Sequence, residues 1–311
     1  MSNAFSRGDL VAPMHHRRIE SRSTGTMNHT SRLTQPDATA PAVHNGVPTG
    51  TPARRTTDRP AHPLRRAEDH PPPRATVSLV VPARNEARNI PWVFEQIPDC
   101  VDEVILVDGD SHDATVHMAR HCLPAVRHVD QSGPGKGNAL RTGFLAASGD
   151  YIVMIDADGS MLPGEIPHFL HFLDHGYDFV KGSRFIAGGG SLDITRIRRW
   201  GNQALLTAVN HLYGASLTDL CYGFCAFRRS FLDDLDLHST GFEIETEMIA
   251  HALCSGLRIA EVPSLELPRR SGRSNLHALS DGRSVLRTLI SERPSARSAP
   301  PARRFSPDAA P

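Results

Sequence analysis

Tyr151-Ile152-Val153-Met154-Ile155, followed at once by Asp156-Ala157-Asp158, is the stretch on which the reading of this chain turns. Five apolar residues in unbroken succession suit a strand buried on both faces, as in a parallel sheet covered by helices. The two carboxylates at i and i+2 then stand where the strand ends. There they can converge on one hard cation, since Mg²⁺ and Mn²⁺ take oxygen ligands and often share them with a substrate diphosphate. An Asp-rich turn, common after strands, is the plainer alternative.

Outward from this stretch the same texture repeats. Val77-Ser78-Leu79-Val80-Val81 reads as a buried strand ended by Pro82, and Glu103 to Val107 as another, stopped by Asp108-Gly109-Asp110-Ser111. Val126 to Val129 suits a short strand, and Phe179-Val180 begins one more before Gly182-Ser183-Arg184. Between them, Asn85 to Ile97, Asp113 to Cys122 and Asn138 to Ala147 read as helices, the last entered through the glycine-rich turn Gly133 to Gly137. This alternation predicts an α/β fold, a mostly parallel central sheet with helices on both faces. Ligands of such sheets bind at the carboxyl ends of the strands, where this sequence stacks its acidic and glycine-bearing turns. Lys136 precedes a helix whose backbone N–H groups and dipole favour a diphosphate. The loop is not a Walker A motif, because Gly137 follows the lysine in place of Ser or Thr, and no dinucleotide fingerprint is present.

The flanks differ. Residues 1–75 are dense in Pro, Arg, His, Thr and Ser without apolar periodicity, so they are expected to be a disordered tail. Residues 294–311 read the same way, leaving one domain over 76–293. The histidines of the first segment lack ligand spacing. Lys and Arg number 34 against 34 Asp and Glu, which is no nucleic-acid binder's basic bias. Five cysteines, an odd number, argue against a disulfide framework, and Cys221/Cys225 lacks the second pair of a zinc site. Neither a spanning run of about 18–20 apolar residues nor a signal peptide is legible. The expected location is cytoplasmic, with at most peripheral contact with the cytoplasmic face of a membrane.

In order, Pro82-Ala83-Arg84-Asn85-Glu86, Val107 to Ser111, Gly135 to Leu140, the strand with Asp156-Ala157-Asp158, and Gly182-Ser183-Arg184 resemble the family 2 glycosyltransferases of GT-A fold. Arg196 to Leu206, Thr218-Asp219-Leu220, Gly223-Phe224, Phe242 to Glu245, Glu261-Val262-Pro263, Arg269 and Gly272 to Leu276 continue the resemblance. These segments are similar to the branch that glycosylates polyprenyl phosphates, the dolichol-phosphate mannose synthase-like enzymes. The similarity covers nearly all of residues 76–290.

The resemblance implies a metal-dependent, inverting transfer of a sugar from a GDP- or UDP-linked donor, with Mg²⁺ or Mn²⁺ as cofactor. The favoured acceptor is a polyprenyl phosphate; a hydroxyl of a saccharide or small metabolite is the alternative. Pro82, Arg84, Glu86 and Asp108 would line the base and ribose, and Lys136 and Asp156 the diphosphate. Asp158 is the main metal ligand, with Asp156 behind it, and Arg269 would close over the leaving diphosphate as charge builds on it. Arg184 and Arg196 match positions that grip the lipid phosphate, with Arg199 assisting, since arginine's planar fork suits phosphate. Glu243 and Glu245 fall where other members carry a catalytic acid, although capping of the following helix explains them equally. Trp200 to Leu217 has helical apolar spacing, suited to the core or to a membrane interface. The apolar-poor segment before residue 285 is expected to act as a lid. Two departures bear on metal and donor: V-D-G-D-S replaces the commoner V-D-D-G-S, and Ser160 stands where many relatives have a better ligand. A sugar-phosphate nucleotidyltransferase, which releases pyrophosphate, is the rival from another class.

Overall fold

A computed structural model describes residues 74–272 and 278–293. The expected tails lie outside the described residues, apart from Arg74 and Ala75; so do Arg273 to Leu276, and with them part of the expected lid. Arg74 donates to Asp102 Oδ1 at 2.7 Å and to the Cys100 carbonyl at 3.1 Å, so residues before Thr76 already contact the domain.

The strands are β1 (Val77–Ala83), β2 (Glu103–Asp108), β3 (Arg127–Asp130), β4 (Tyr151–Met154), β5 (Phe179–Ser183), β6 (Gly190–Ser191), β7 (Cys225–Arg228), β8 (Ile259–Pro263) and β9 (Leu265–Glu266). The helices are α1 (Ile90–Glu95), α2 (Thr115–Cys122), α3 (Lys136–Ala146), α4 (Ile166–Asp174), α5 (Arg196–Tyr213), α6 (Leu232–Leu235), α7 (Ile244–Cys254) and α8 (Ala278–Ser291). Seven strands form one sheet in the order β3-β2-β1-β4-β7-β5-β8. Neighbours pair in parallel except at β7, which runs antiparallel to both β4 and β5. A small parallel pair, β6 with β9, stands beside it.

The apolar runs are buried on both sides, as their unbroken character requires. Leu79, Val81 and Val153 pack on one face with Val93, Phe169 and Phe224. Val80, Ile105 and Ile152 pack on the other with Leu140, Phe144, Val209 and Met248. Each such side chain contributes about 1.5–3 kcal/mol of transfer free energy on full burial. The rings interlock: Phe169 stacks on Phe224 at 4.2 Å, and Phe144 meets Phe227 edge-on at 5.2 Å.

The helix starts depart from expectation. Residues 85–89 form a loop before α1 instead of its first turn, because Asn85 adopts φ 58°, a left-handed conformation that asparagine tolerates. Its side chain accepts from the His112 amide at 2.8 Å, joining the loops after β1 and β2. Helix α2 begins at Thr115, with Asp113 before it accepting from the Thr115 amide at 2.9 Å. Helix α3 begins earlier than expected, so Lys136 is its first residue and not part of a loose turn. Gly135 at φ 101° makes the entry, and a Cβ on Gly137 would lie 2.2 Å from the Ser239 carbonyl oxygen. Glycine there lets α3 sit against the loop before α7.

Candidate active site

Loops at the carboxyl ends of β1, β4 and β5 open into a cleft of about 700 Å³, walled on its other side by α5 and α8. Among its lining residues are Pro82, Arg84, Glu86, Lys136, Asp156, Asp158, Arg184, Glu245 and Arg269. The parallel sheet and its loops bring these nine predicted residues together from positions 82 to 269 of the sequence.

Two cations organise the polar end, each between two carboxylates. Lys136 Nζ lies 2.6 Å from Asp156 Oδ1 and 2.6 Å from Glu245 Oε1. Burial alone would push this amine's pKa down; Asp156 and Glu245 outweigh it and hold it above the usual lysine range. Asp156 itself is held high by burial and by Asp158 and Glu245, with Lys136 opposing. Arg269 repeats the pattern on the other side, 2.8 Å from Glu86 Oε1 and 3.1 Å from Asp158 Oδ2. Burial raises Glu86, while Asn89 and Arg269 pull it down.

Local chemistry aims Asp158. Gly159 at φ 76° turns the chain so that Asp158 Oδ1 accepts from the Ser160 amide at 2.9 Å, the self-capping turn that aspartate favours. A Cβ on Gly159 would lie 2.8 Å from Arg270 Cδ. Arg270 in turn stacks over Trp92 of α1 at 4.7 Å, and its amide donates to the Asp158 carbonyl at 3.2 Å. The segment after β9 is thereby pinned over the site.

Asp156 and Asp158 fit a hard divalent cation. Both offer carboxylate oxygens to the cleft, and two protein ligands leave coordination positions for substrate oxygens and water.

Several expected residues stand elsewhere. Arg184 lines the cleft, but its side chain is 2% exposed and every donor is engaged within the protein. Nε and Nη2 grip Asp219 at 2.7 and 3.0 Å, Nη1 meets both oxygens of Glu266 at 3.1 Å, and Nη2 also reaches the Cys221 carbonyl at 2.8 Å. No N–H is left for a phosphate, which corrects the lipid-phosphate expectation for this arginine. Arg196 and Arg199 lie on the exposed side of α5, outside the cleft lining, and Arg199 stacks on Phe185 at 5.2 Å. Glu243 is the cap of α7: its Oε1 accepts from the Gly241 amide at 3.1 Å, and it does not line the cleft. Asp108 is buried beside the cleft and not on its wall.

Sequence reasoning missed Arg198, Arg283, Gln131 and Glu266, all in the lining. Arg198 keeps a half-free guanidinium, 3.5 Å from Asp193 and 3.9 Å from Glu266, with 32% of its side chain exposed. Its place beside Arg196 and Arg199 in R-I-R-R was the available signal; helical phase decides which arginine faces inward. The long helix after β6, expected to suit the core or a membrane interface, packs one face into the core and leaves apolar residues exposed at its start. Val209 and Leu206 are buried, while Ile197 and Trp200 at its start are 75% and 79% exposed.

A mostly parallel sheet with its acidic turns gathered on one edge matches the GT-A architecture that the sequence resemblance implies. The chain belongs to glycosyl transferase family 2, whose family model matches residues 78–236. It is 36% identical over 212 residues to glycosyltransferase AglJ of Haloferax volcanii, covering 66% of this chain and 68% of that one. It is 30% identical to the dolichyl-phosphate hexose transferase of the same organism, covering 69% of this chain and 92% of that one. Among solved structures it resembles glucosyl-3-phosphoglycerate synthase from Mycobacterium tuberculosis, in complex with Mn²⁺, uridine diphosphate and glucosyl-3-phosphoglycerate. That match has TM-score 0.57 and 27% identity, over 71% of this chain and 82% of that one.

Proposed function

We propose that this chain transfers a hexosyl group from a nucleoside-diphosphate sugar to a polyprenyl phosphate, using Mg²⁺ or Mn²⁺. One observation carries the reading. The cleft that holds Asp156 and Asp158 continues into an apolar half walled by Ile194, Ile197, Ala204, Leu205, Val285 and Leu286. A saccharide acceptor has no use for such a wall; a prenyl chain does. Relatives named dolichyl-phosphate hexose transferase and polyprenol monophosphomannose synthase support it.

In this reading an acceptor phosphate oxygen attacks the anomeric carbon, the bond to the diphosphate breaks with inversion, and the electron pair leaves with the nucleoside diphosphate. The phosphate is already an anion, so no side chain must take a proton. Arg198 and Arg283, both in the cleft lining, are the arginines to hold it. Lys136 and Arg269 release part of their hold on Asp156 and Asp158 and neutralise the leaving diphosphate. Asp156 and Asp158 would hold the cation, which when bound would supply Lewis-acid stabilisation of the same charge. Pro82, Arg84 and Glu86 form the wall nearest the base and ribose.

Membrane contact follows from the acceptor. Ile197, Trp200, Leu286 and Ile290 are exposed on α5 and α8, Ile197 and Leu286 also lining the cleft, and the same helices carry exposed Arg196, Arg199, Arg283 and Arg287. Among the described residues no helix is long and apolar enough to cross a membrane, so this contact is peripheral.

The presence of Glu245 in the cleft favours a second reading, transfer to a hydroxyl. Its pairing with Lys136 leaves one carboxylate oxygen to act as base. Loss of a general base costs about 10²–10⁴-fold in rate. A Glu245→Gln enzyme that keeps most of its turnover therefore supports the phosphate acceptor. Incubation with undecaprenyl or dolichyl phosphate and labelled GDP-mannose, UDP-glucose or UDP-N-acetylglucosamine tests the proposal. Label in the organic phase supports it; label found only in water-soluble saccharides points to the hydroxyl reading.

A further inference from the structure

At the outer edge of the sheet, β2 and β3 end side by side, with Asp108 opposite Asp130 in register. His128 stands two residues before Asp130, and strand residues at i and i+2 share a face. The three side chains converge, one ligating atom of each lying within 4.8 Å of the other two. His128 Nε2 is 3.3 Å from Asp130 Oδ1. Asp108 is 8% exposed. Its Oδ2 accepts from the Ser111 amide at 3.0 Å, while its Oδ1 is buried without a donor. His128 Nε2 is likewise buried with no hydrogen-bond partner. The other ring nitrogen, Nδ1, faces Arg120 Nη2 at 3.4 Å, so Nε2 is the one turned to the carboxylates. A buried polar atom left unpaired costs about 1–3 kcal/mol, more when charged.

The comparable group elsewhere among the described residues, Glu247, His251 and Glu292, shows what a saturated cluster looks like. Both oxygens of Glu247 accept backbone amides, from His238 and Ser239, at 2.9 Å each. His251 spends Nδ1 on the Leu235 carbonyl and Nε2 on Glu292 at 2.9 Å. Nothing there is spare. At Asp108 and His128, a carboxylate oxygen has no donor and an imidazole nitrogen has no hydrogen bond, only the Asp130 oxygen at 3.3 Å.

We infer that Asp108, His128 and Asp130 form a second divalent-cation site, apart from Asp156 and Asp158, suited to a borderline ion such as Zn²⁺. One imidazole nitrogen with two carboxylate oxygens favours Zn²⁺ over Mg²⁺. Three protein ligands leave a position for water, reached from the side of Asp130, which is 87% exposed. The site acts on the cleft through its neighbours. Gly109 and Gln131 each directly follow a ligand and line the cleft, and the Gln131 amide already donates to the Asp108 carbonyl at 3.1 Å. A cation bound here clamps β3 to β2 and fixes that part of the wall.

The test counts bound Zn²⁺ on the full-length chain after chelator stripping, by equilibrium dialysis in excess Mg²⁺. The chain has 17 histidines, so the reading is the difference between variants. His128→Gln and Asp130→Ala are each expected to bind one Zn²⁺ fewer than wild type. His112→Gln and His117→Gln, both at exposed positions, are expected to keep the wild-type count. Co²⁺ in place of Zn²⁺ gives a visible absorption band that the same two variants lose. Asp130 is exposed, so its substitution spares the fold, as unchanged circular dichroism would show. Equal Zn²⁺ counts and identical Co²⁺ spectra across all five proteins overturn the inference.

Discussion

Lys136 Nζ lies 2.6 Å from Asp156 Oδ1, so the first residue of α3 is bonded to the first carboxylate after β4. This lysine supplies positive charge at the polar end of the cleft and holds Asp156, a proposed cation ligand, in place. Replacing it with methionine leaves Asp156 and Glu245 facing each other without their cation. The expected result is a fall in kcat/KM on the order of 10²–10³ together with a lower melting temperature. The melting deficit is expected to narrow as the pH drops and the high-lying Asp156 carboxyl takes up a proton.

Arg184 and Arg198 are expected to fail in different ways. Arg184 holds two buried carboxylates, Asp219 and Glu266, and removing one partner of a buried pair costs about 3–5 kcal/mol. Arg184→Met is therefore expected to lose stability in urea unfolding, whatever its kinetics. Arg198→Met, with its loosely paired guanidinium, is expected to fold as wild type and to raise the KM for the lipid phosphate. A stable Arg184 variant with only a raised acceptor KM contradicts this division.

His251 ties α7 to Glu292 just beyond α8, whose inner residues wall the apolar half of the cleft. Burial would lower this imidazole, but Glu292 and the Leu235 carbonyl prevail and hold it above the ordinary histidine value. With the folded pKa raised, the stabilisation is fully present below the unfolded value and is lost as pH rises through the folded one. Melting temperature is expected to decline from mildly acidic toward mildly alkaline pH by the equivalent of about 1 kcal/mol. In His251→Gln that decline should be absent, which differential scanning calorimetry across the pH range would reveal.

The core of this fold was legible because its strands are buried on both faces. Val77 to Val81, Glu103 to Val107 and Tyr151 to Ile155 announce themselves as unbroken apolar runs, and their polar endings point to one edge. Nine of the predicted residues do meet in one cleft. What failed depends on geometry that residue type does not encode. Asn85 at positive φ displaces the start of α1, and the rotation of α5 turns Arg198 inward and Arg196 and Arg199 outward. Arg184 looks free in sequence because its partners, Asp219 and Glu266, lie 35 and 82 residues away. Glu243 and Glu245 are alike on paper; the helix start puts one on its own backbone and the other on Lys136.

The proposed membrane contact is expected to be separable from donor binding, because its apolar residues are exposed on α5 and α8. A double substitution, Ile197→Ser with Trp200→Ser, removes two of the most exposed of them without touching the polar end. It is expected to weaken flotation with phosphatidylglycerol vesicles while leaving donor binding intact. Because the surrounding arginines add an electrostatic share, wild-type binding should fall as salt rises.

The most direct test of the account follows the donor label in the full-length protein with Mg²⁺ or Mn²⁺ and a polyprenyl phosphate, beside Asp158→Ala. The wild-type enzyme is expected to give a labelled lipid, lost in the variant and lost again when the metal is chelated. Labelled lipid that forms equally well without Asp158, or nucleoside diphosphate released with label only in hydroxyl products, would contradict it.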